Sequence, residues 1–311
     1  MCCSAWPASF SRTITGTWEV LVDGKVNHVL WYQNKVGDGA TNQSGIPGAV
    51  LNGEGNCLVI PLLGTWESIT LLNTVKTPKL LENVSRALKP PPMRAAIQEK
   101  GMSMIFGETG EVRILQFDIY DIVLAQRAQD IPAVLPQIQE AKRPKVNADV
   151  FQTLGTWYGC PVAVCCFNSA ESGTAKPLGF AFEPLYPDKL VVYTLDGHDG
   201  RPPNPTAKVA LDHDIFVGSY LMKADQYAQV TYDDFIFPSL KKYLLEDVLG
   251  TQCFGEMENG DFIFSTEAVR AGYFEGLRWL PPFAPQDLPR LGHKLTREDS
   301  YVTSNRPRRR L

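Results

Sequence analysis

Three segments of the chain follow a strand–turn–strand pattern, which restricts the possible fold more than any other feature. Residues 17–33 contain two runs rich in Val, Leu, Trp and Tyr, joined at Asp23-Gly24, a dipeptide suited to the positive φ angles of a hairpin turn. Residues 102–126 turn between Gly107 and Gly110, and residues 250–274 turn at Asn259-Gly260. The sequence therefore predicts antiparallel β meanders.

Helical patterns are fewer and shorter. Residues 78–100 place Leu80, Leu81, Val84 and Leu88 at helical spacing, but a run of three prolines at 90–92 predicts two short helices joined by a hinge. A short helix is also predicted over 131–142. A last one is predicted over 238–249, where an apolar stripe is typical of core packing.

Gly-Thr-Trp occurs at Gly16, Gly64 and Gly155, each time beside strand-forming residues. The order of sequence features also repeats in the two halves of the chain. Near the end of each half, a predicted strand (116–125 and 229–238) combines Gln, an aromatic residue and Asp. We interpret this as a degenerate duplication of a small β domain. The predicted organisation is an N-terminal arm (1–12), a first β-barrel domain (13–128), a connector (129–148), a second β-barrel domain (149–283) and a C-terminal tail (284–311).

Gly16-Thr17-Trp18 and Gly155-Thr156-Trp157 resemble the Gly-x-Trp signature at the first strand of lipocalins and the wider calycin group. A tandem of such domains is similar to the two-domain calycin-like proteins of hydratase and pericyclase type. This resemblance implies a mainly β chain with two tandem calycin-like antiparallel β-barrels or sandwiches and a few short helices. It supplies no active-site residues.

Composition limits the classes of partner. The net charge of −4 gives no global electrostatic reason to bind nucleic acid or an anionic membrane, although four of the last six residues are arginines. The N-terminus does not follow the pattern of a secretory signal, and no run of eighteen apolar residues occurs. The seven cysteines follow no disulfide framework. We expect a cytoplasmic protein with reduced, buried thiols, and the sequence carries no prediction of oligomeric state.

Cofactor and metal motifs are missing from the sequence. It contains no dinucleotide-binding or phosphate-binding glycine loop, no zinc-protease motif and no nucleophile-elbow motif. His198, Asp199 and His213 would form a two-histidine, one-carboxylate site if the proline-rich loop folded back, but such residues more often decorate a solvated loop. We therefore predict neither a cofactor nor a metal.

Alternation along the predicted strands selects the candidate site residues. His28 shares a face with Leu30 and Tyr32 and is predicted to point inward, as a core histidine or a proton-transfer group. On the late strand of the first half, Gln116, Asp118 and Tyr120 share a face that is apolar at its ends and polar in its middle, as expected of a ligand-lined interior.

The second half offers a parallel set. Asp233 and Phe235 share one face of the late strand, Tyr232 lies on the other, and Glu267 follows in the last hairpin. A carboxylate held among aromatic rings has a raised pKa and can serve as an acid or base, whereas on the outer face it is simply solvated. The predicted catalytic residues are His28, Asp118, Tyr120, Asp233 and Glu267, and the predicted ligand-binding residues are Tyr32, Gln116, Tyr232 and Phe235.

These features predict a cofactor-independent isomerase, lyase or cyclase acting on a hydrophobic small molecule. The calycin-like resemblance implies in addition a pericyclase type and a role in secondary metabolism. A shaped apolar cavity would accelerate such a reaction by holding the substrate in a reactive conformer. The alternative is a non-catalytic carrier of the same kind of ligand. A protein-interaction module that uses exposed sheet edges is a third possibility.

Overall fold

A computed structural model of the chain describes residues 2–3, 10–36, 54–89, 106–109, 111–223, 227–279 and 294–295. The fold is mainly β, as predicted. Among these residues, none of the helices combines the length and the apolarity needed to cross a bilayer.

The strands, in chain order, are β1 (Cys2–Cys3), β2 (Phe10–Val22), β3 (Lys25–Val36), β4 (Gly55–Pro61), β5 (Thr70–Leu71), β6 (Phe106–Thr109), β7 (Val112–Phe117), β8 (Tyr120–Ala125), β9 (Val162–Asn168), β10 (Leu178–Phe182), β11 (Lys189–Val192), β12 (Asp196–Gly197), β13 (Lys208–Ser219), β14 (Ala228–Gln229), β15 (Asp247–Glu258), β16 (Asp261–Ser265), β17 (Gly276–Trp279) and β18 (Lys294–Leu295). The helices are α1 (Leu80–Ala87), α2 (Ile131–Val134), α3 (Ala148–Tyr158), α4 (Pro238–Lys241) and α5 (Thr266–Arg270). Short 3-10 turns cover Trp66–Ser68, Ala128–Asp130, Leu135–Gln137, Glu140–Lys142 and Ser169–Thr174.

The helix predictions are confirmed in part. Helix α1 matches the first half of 78–100, and residues 90–100 lie outside the described residues. The predicted helix over 131–142 consists of α2 followed by two 3-10 turns. The predicted helix over 238–249 is wrong beyond Lys241, because β15 begins at Asp247 and pairs with β13.

A seven-stranded sheet in the order β14-β15-β13-β2-β3-β10-β5 forms the centre of the fold. Strands β2 and β3 form the predicted first hairpin, with Asp23 and Gly24 at φ angles of 51° and 79° in its turn. Strand β13 runs parallel to β2, and the other pairs in this sheet are antiparallel. The prediction of a hairpin at Asp23-Gly24 is therefore confirmed.

The second sheet has five antiparallel strands in the order β4-β9-β8-β7-β6. Strands β6 and β7 pair from Thr109 opposite Val112, so the second predicted hairpin is confirmed, although Gly110 itself lies outside the described residues. A further turn at Asp118-Ile119 joins β7 to β8. This turn interrupts what the sequence analysis treated as one continuous strand face.

The remaining strands form a four-stranded sheet, β11-β16-β17-β18, and the parallel pair β1-β12. The third predicted hairpin is wrong, because β15 and β16 belong to different sheets. Asn259-Gly260 forms the corner between them, where the Asn259 side chain donates to the carbonyl oxygen of Asp196 at 2.7 Å and that of Asn204 at 3.1 Å.

Of the predicted barrels or sandwiches, closed barrels do not occur, since each of the four sheets in the described part of the chain is open, and the tandem calycin-like arrangement stays a prediction. The sheets also do not separate at the predicted connector, 129–148. The central sheet combines β2, β3 and β5 from the first half with β10, β13, β14 and β15 from the second. The five-stranded sheet likewise takes β9 from beyond the connector.

The Gly-Thr-Trp motifs adopt three different conformations. Gly16 lies in the middle of β2, where an added Cβ atom would clash with the Phe216 carbonyl oxygen of β13. Gly64 lies in the loop after β4, and Gly155 lies within α3. Helix α3 begins after Asn147, which accepts from the backbone NH of Asp149 at 2.9 Å, and ends at Gly159 with a φ of 57°. The strand-forming surroundings of the motif therefore did not predict its conformation at Gly155, which is helical.

The central sheet is covered on both faces. On one face, Trp18, Trp31 and Phe216 pack with α1 and residues 228–248. On the opposite face, two other sheets pack side by side and cover the central sheet. The five-stranded sheet packs over the β3–β10 side, and the four-stranded sheet packs over the β13–β15 side. Thr17 and His28 lie where these two covers meet.

Candidate functional site

Two of the predicted polar residues of the first half are exposed. Asp118 lies in the β7–β8 turn with a φ of 52°, and its carboxylate accepts from the backbone NH of Lys176 at 2.8 Å. Gln116, near the end of β7, is also exposed. The predicted common face of Gln116, Asp118 and Tyr120 does not exist, because the turn reverses the chain after Phe117.

Two predicted aromatic residues lie in the core instead of lining a cavity. Tyr120 is buried in β8 and packs edge-on against Phe167, with ring centroids 5.8 Å apart. Burial raises the pKa of its phenol well above the ordinary value, so Tyr120 is held protonated. Tyr32 is fully buried in β3, within the same core.

The predicted late strand of the second half ends at Gln229, and the chain beyond it is irregular up to α4. Asp233 is exposed and forms an ion pair with Arg86 at 2.8 Å. Tyr232 is half-buried and donates to the Leu245 carbonyl oxygen at 2.6 Å. Phe235 is 74% exposed. These three residues therefore do not line a common interior.

The sequence analysis predicted that Glu267 lies in a hairpin strand, and this is also wrong. It lies in the first turn of α5 and is exposed. Ser265 accepts from the backbone NH of Ala268 at 3.4 Å and begins this helix as its N-cap. The five predicted catalytic residues are consequently dispersed over the molecule, and their catalytic roles stay predictions.

His28 lines a recess in the described part of the chain. It is 3% exposed, in agreement with its predicted inward orientation, and it lies opposite Glu19 of β2 and Phe182 of β10 in the sheet register. The recess opens where the three large sheets meet. Thr17 and Phe182 belong to the central sheet, and the other lining residues are Leu63, Tyr186, Lys189, Val191 and Tyr193.

The recess is small. With its open mouth it measures about 270 Å³, and its enclosed part has room for about one water-sized group. Hydrocarbon and aromatic groups form most of its wall. The Thr17 hydroxyl donates to the Val191 carbonyl oxygen at 2.5 Å, which ties β2 to β11 across the interior. A ligand could therefore insert only a small terminal group.

His28 is held as a neutral imidazole. Its pKa is lowered from 6.5 to about 4, chiefly by burial and also by the Arg270 charge, while the Glu19 and Asp188 charges act in the opposite direction. Its Nε2 atom is buried and has no hydrogen-bond partner among the described residues. Its ring packs edge-on against Phe182 with centroids 6.4 Å apart. The result is a fixed, uncharged polar group in an otherwise apolar wall.

The charged residues near His28 are paired. Lys189 lies 2.6 Å from the Asp188 carboxylate and 5.9 Å from the centroid of the Tyr186 ring. Glu19 is fully buried. Its carboxylate accepts from Ser219 at 2.7 Å and from the Nε of Arg270 at 3.0 Å. Each nearby charge is thus balanced by one of opposite sign.

Most of this site could not be found from sequence. The hairpin register alone would have placed Glu19 opposite His28, because Val22 pairs with Lys25 across the Asp23-Gly24 turn. Residues 186–193, in contrast, are more than 150 positions away from His28. No local pattern in that segment marks its contact with β2.

The suggested His198–Asp199–His213 arrangement is wrong. The Nε2 atom of His198 lies 2.7 Å from the carboxylate of Asp196, and Asp199 is exposed. Where the structure describes the chain, no cluster of three or more His, Cys, Asp or Glu side chains could hold a metal ion. The five described cysteines, Cys57, Cys160, Cys165, Cys166 and Cys253, are buried, as predicted, and no disulfide bond joins any of them within the described part of the chain.

No family model matches the chain, and no curated protein matches it. Among solved structures, the chain is similar to the crystal structure of baculovirus P35. The sequence identity is 13%, the match covers 86% of this chain and 92% of that one, and the TM-score is 0.41. A likeness of that size supports no conclusion about this chain.

Proposed function

We propose that the protein binds a hydrophobic small molecule at the His28 recess, as a non-catalytic carrier. Two observations carry the proposal: the buried Nε2 atom of His28 has no hydrogen-bond partner among the described residues, and His28 lines an apolar-walled recess. A buried polar group without a partner costs about 1–3 kcal/mol. A ligand that forms a hydrogen bond with His28 would recover this energy, and the apolar part of the ligand would contact the aromatic residues that line the recess.

The dispersion of the predicted catalytic residues favours binding over catalysis. Asp118, Asp233 and Glu267 are exposed, and Tyr120 lies in a separate part of the core. A buried imidazole with a pKa of about 4 is also a weak base at neutral pH. Such a group is better suited to forming a hydrogen bond with a ligand than to removing a proton from it.

A cofactor-independent isomerase, lyase or cyclase is the second candidate. His28, Tyr186 and Lys189 all line the recess. These are acid–base groups, and they could stabilise charge that develops on a substrate held at the mouth. The two candidates share the ligand site and differ in whether the ligand leaves unchanged.

Native mass spectrometry tests the proposal on full-length protein purified from a producing cell, followed by denaturation and identification of any released small molecule. We expect a stoichiometric hydrophobic compound in the wild type and its loss in His28→Phe, which keeps a ring of similar shape but removes the ring nitrogens. Tyr120→Phe is the matched control, because it removes a buried polar group far from the recess and should retain the compound.

Three outcomes separate the candidates. Release of an unchanged compound after prolonged incubation with the folded protein supports the carrier. Conversion of that compound, abolished by His28→Phe, supports the enzyme. Equal retention by the wild type and by folded His28→Phe would refute both, because the compound would then be bound elsewhere.

A further inference from the structure

We infer that the group bound beside His28 is a single hydroxyl group, carried by an uncharged alcohol or phenol. The inference rests on the proposed ligand site and names the chemical class that this site accepts. Three properties of the recess support it: its size, the hydrogen-bonding capacity of its polar atoms and the pairing of its charges.

Size excludes the larger polar groups. The enclosed part of the recess has room for about one water-sized group beside His28. A hydroxyl oxygen occupies about that volume. A carboxylate has two oxygen atoms on one carbon and a phosphate has more, so both are larger than this enclosed part.

Hydrogen bonding favours a group that can both donate and accept. The Nε2 atom of neutral His28 is a donor in one tautomer and an acceptor in the other, and a hydroxyl group pairs with either. Thr17 already donates its hydroxyl hydrogen to the Val191 carbonyl oxygen, so its own oxygen can offer only lone pairs to a ligand. A ligand hydroxyl can accept from the Nε2–H tautomer of His28 while it donates to the Thr17 oxygen.

Charge pairing excludes an ionic ligand. The Lys189 ammonium is 2.6 Å from the Asp188 carboxylate, and the buried Glu19 carboxylate is bonded to Arg270. An anion at the recess would have to lose its hydration without gaining an unpaired cation. The aromatic rings of Phe182, Tyr186 and Tyr193 instead offer contact to a flat or aliphatic body.

Three matched probes test the inference: benzyl alcohol, toluene and benzoate, which share a ring and differ in the attached group. Binding is followed by the imidazole nitrogen resonances of His28, assigned by their loss in His28→Phe, and by isothermal titration. We expect benzyl alcohol to bind at least about 10-fold more tightly than toluene, the ratio that one good hydrogen bond gives. Benzoate should bind more weakly than benzyl alcohol.

The control experiment repeats the titration with His28→Phe. We expect this variant to bind benzyl alcohol and toluene with similar affinity, because the hydrogen-bonding nitrogen is missing. Tyr120→Phe should preserve the wild-type preference for the alcohol. If His28→Phe fails to fold, His28→Gln serves in its place, and the preference for the alcohol should then decrease without disappearing.

The outcomes distinguish failure of this inference from failure of the proposed function. If toluene or benzoate binds as tightly as benzyl alcohol and shifts the His28 resonances, the hydroxyl preference is refuted while the ligand site stands. If none of the three probes shifts those resonances at millimolar concentration, both are refuted. A shift caused by benzyl alcohol alone, lost in the variant, supports both.

Discussion

Replacing His28 should make the protein more resistant to acid, because the native fold opposes protonation of this residue. Burial holds the pKa of His28 at about 4 in the native state, whereas the ordinary value is 6.5. Between these values the unfolded chain binds a proton that the native protein does not. The contribution of His28 to stability is therefore fully present above about pH 6.5 and is lost as the pH falls towards about 4.

The magnitude follows from the two pKa values. A difference of about 2.5 in pKa corresponds to about 3.4 kcal/mol once the pH is well below both. The same linkage relation gives a penalty of about 0.2 kcal/mol at about pH 7 and about 2 kcal/mol at about pH 5. Acidification over this interval should thus lower the free energy of unfolding by about 2 kcal/mol through His28 alone.

Urea unfolding of the wild type and His28→Phe at about pH 7 and about pH 5 measures this contribution. We expect the wild type to lose about 2 kcal/mol more than the variant over the interval. His198→Gln is the control, because it removes a histidine that is only half-buried, and it should not reduce the acid sensitivity in this way. Equal losses in the wild type and folded His28→Phe would refute the reasoning that His28 is buried as a neutral group.

Two further predictions concern buried features of the fold. The Asp261 carboxylate is fully buried and accepts from the Tyr158 hydroxyl at 2.6 Å and from two backbone NH groups at 2.8 Å. Asp261→Ala should therefore lower the free energy of unfolding by about 4 kcal/mol, whereas Tyr158→Phe, which removes one donor, should lower it by about 1 kcal/mol. Urea unfolding measures both values, and equal losses would contradict this assignment. Gly16→Ala should lower the free energy of unfolding by about 3 kcal/mol, because the added methyl group would clash with β13. Gly159→Ala should lower it by about 1 kcal/mol, because Gly159 has a positive φ but no neighbour within 4 Å. The reverse order of melting temperatures would contradict the packing explanation.

The parts of the fold that sequence predicted are those determined by neighbouring residues. Asp23 and Gly24 both adopt the positive φ angles that a tight hairpin needs, and the flanking residues alternate as two paired strands require. The first half of the 78–100 helix was equally clear, since Leu80, Leu81 and Val84 lie on one buried face. In both cases the interactions that decide the structure act over a few residues.

Gly-Thr-Trp shows where this reasoning fails. The three glycines share one physical requirement, a close approach of another chain segment, but the segment differs each time. A Cβ atom would meet Phe216 at Gly16, Phe182 at Gly64 and the Gln129 side chain at Gly155. A short motif whose glycine allows another chain segment to approach closely does not indicate whether its own backbone is a strand, a loop or a helix. The duplication inferred from it therefore had no structural basis in these three motifs.

The site shows the same division between local and distant information. Alternation in β3 predicted that His28 points inward, and the hairpin register was enough to place the buried Glu19 carboxylate opposite it. What makes the position chemically distinctive is the segment from Tyr186 to Tyr193, which covers His28 only because β11 packs across β2 and anchors to Thr17. Without that cover the imidazole would be solvated, its pKa would be ordinary and its Nε2 atom would bond to water. The candidate site therefore exists because β11 packs against β2 and buries His28. The difference in acid sensitivity between the wild type and the His28 variants measures the effect of this burial.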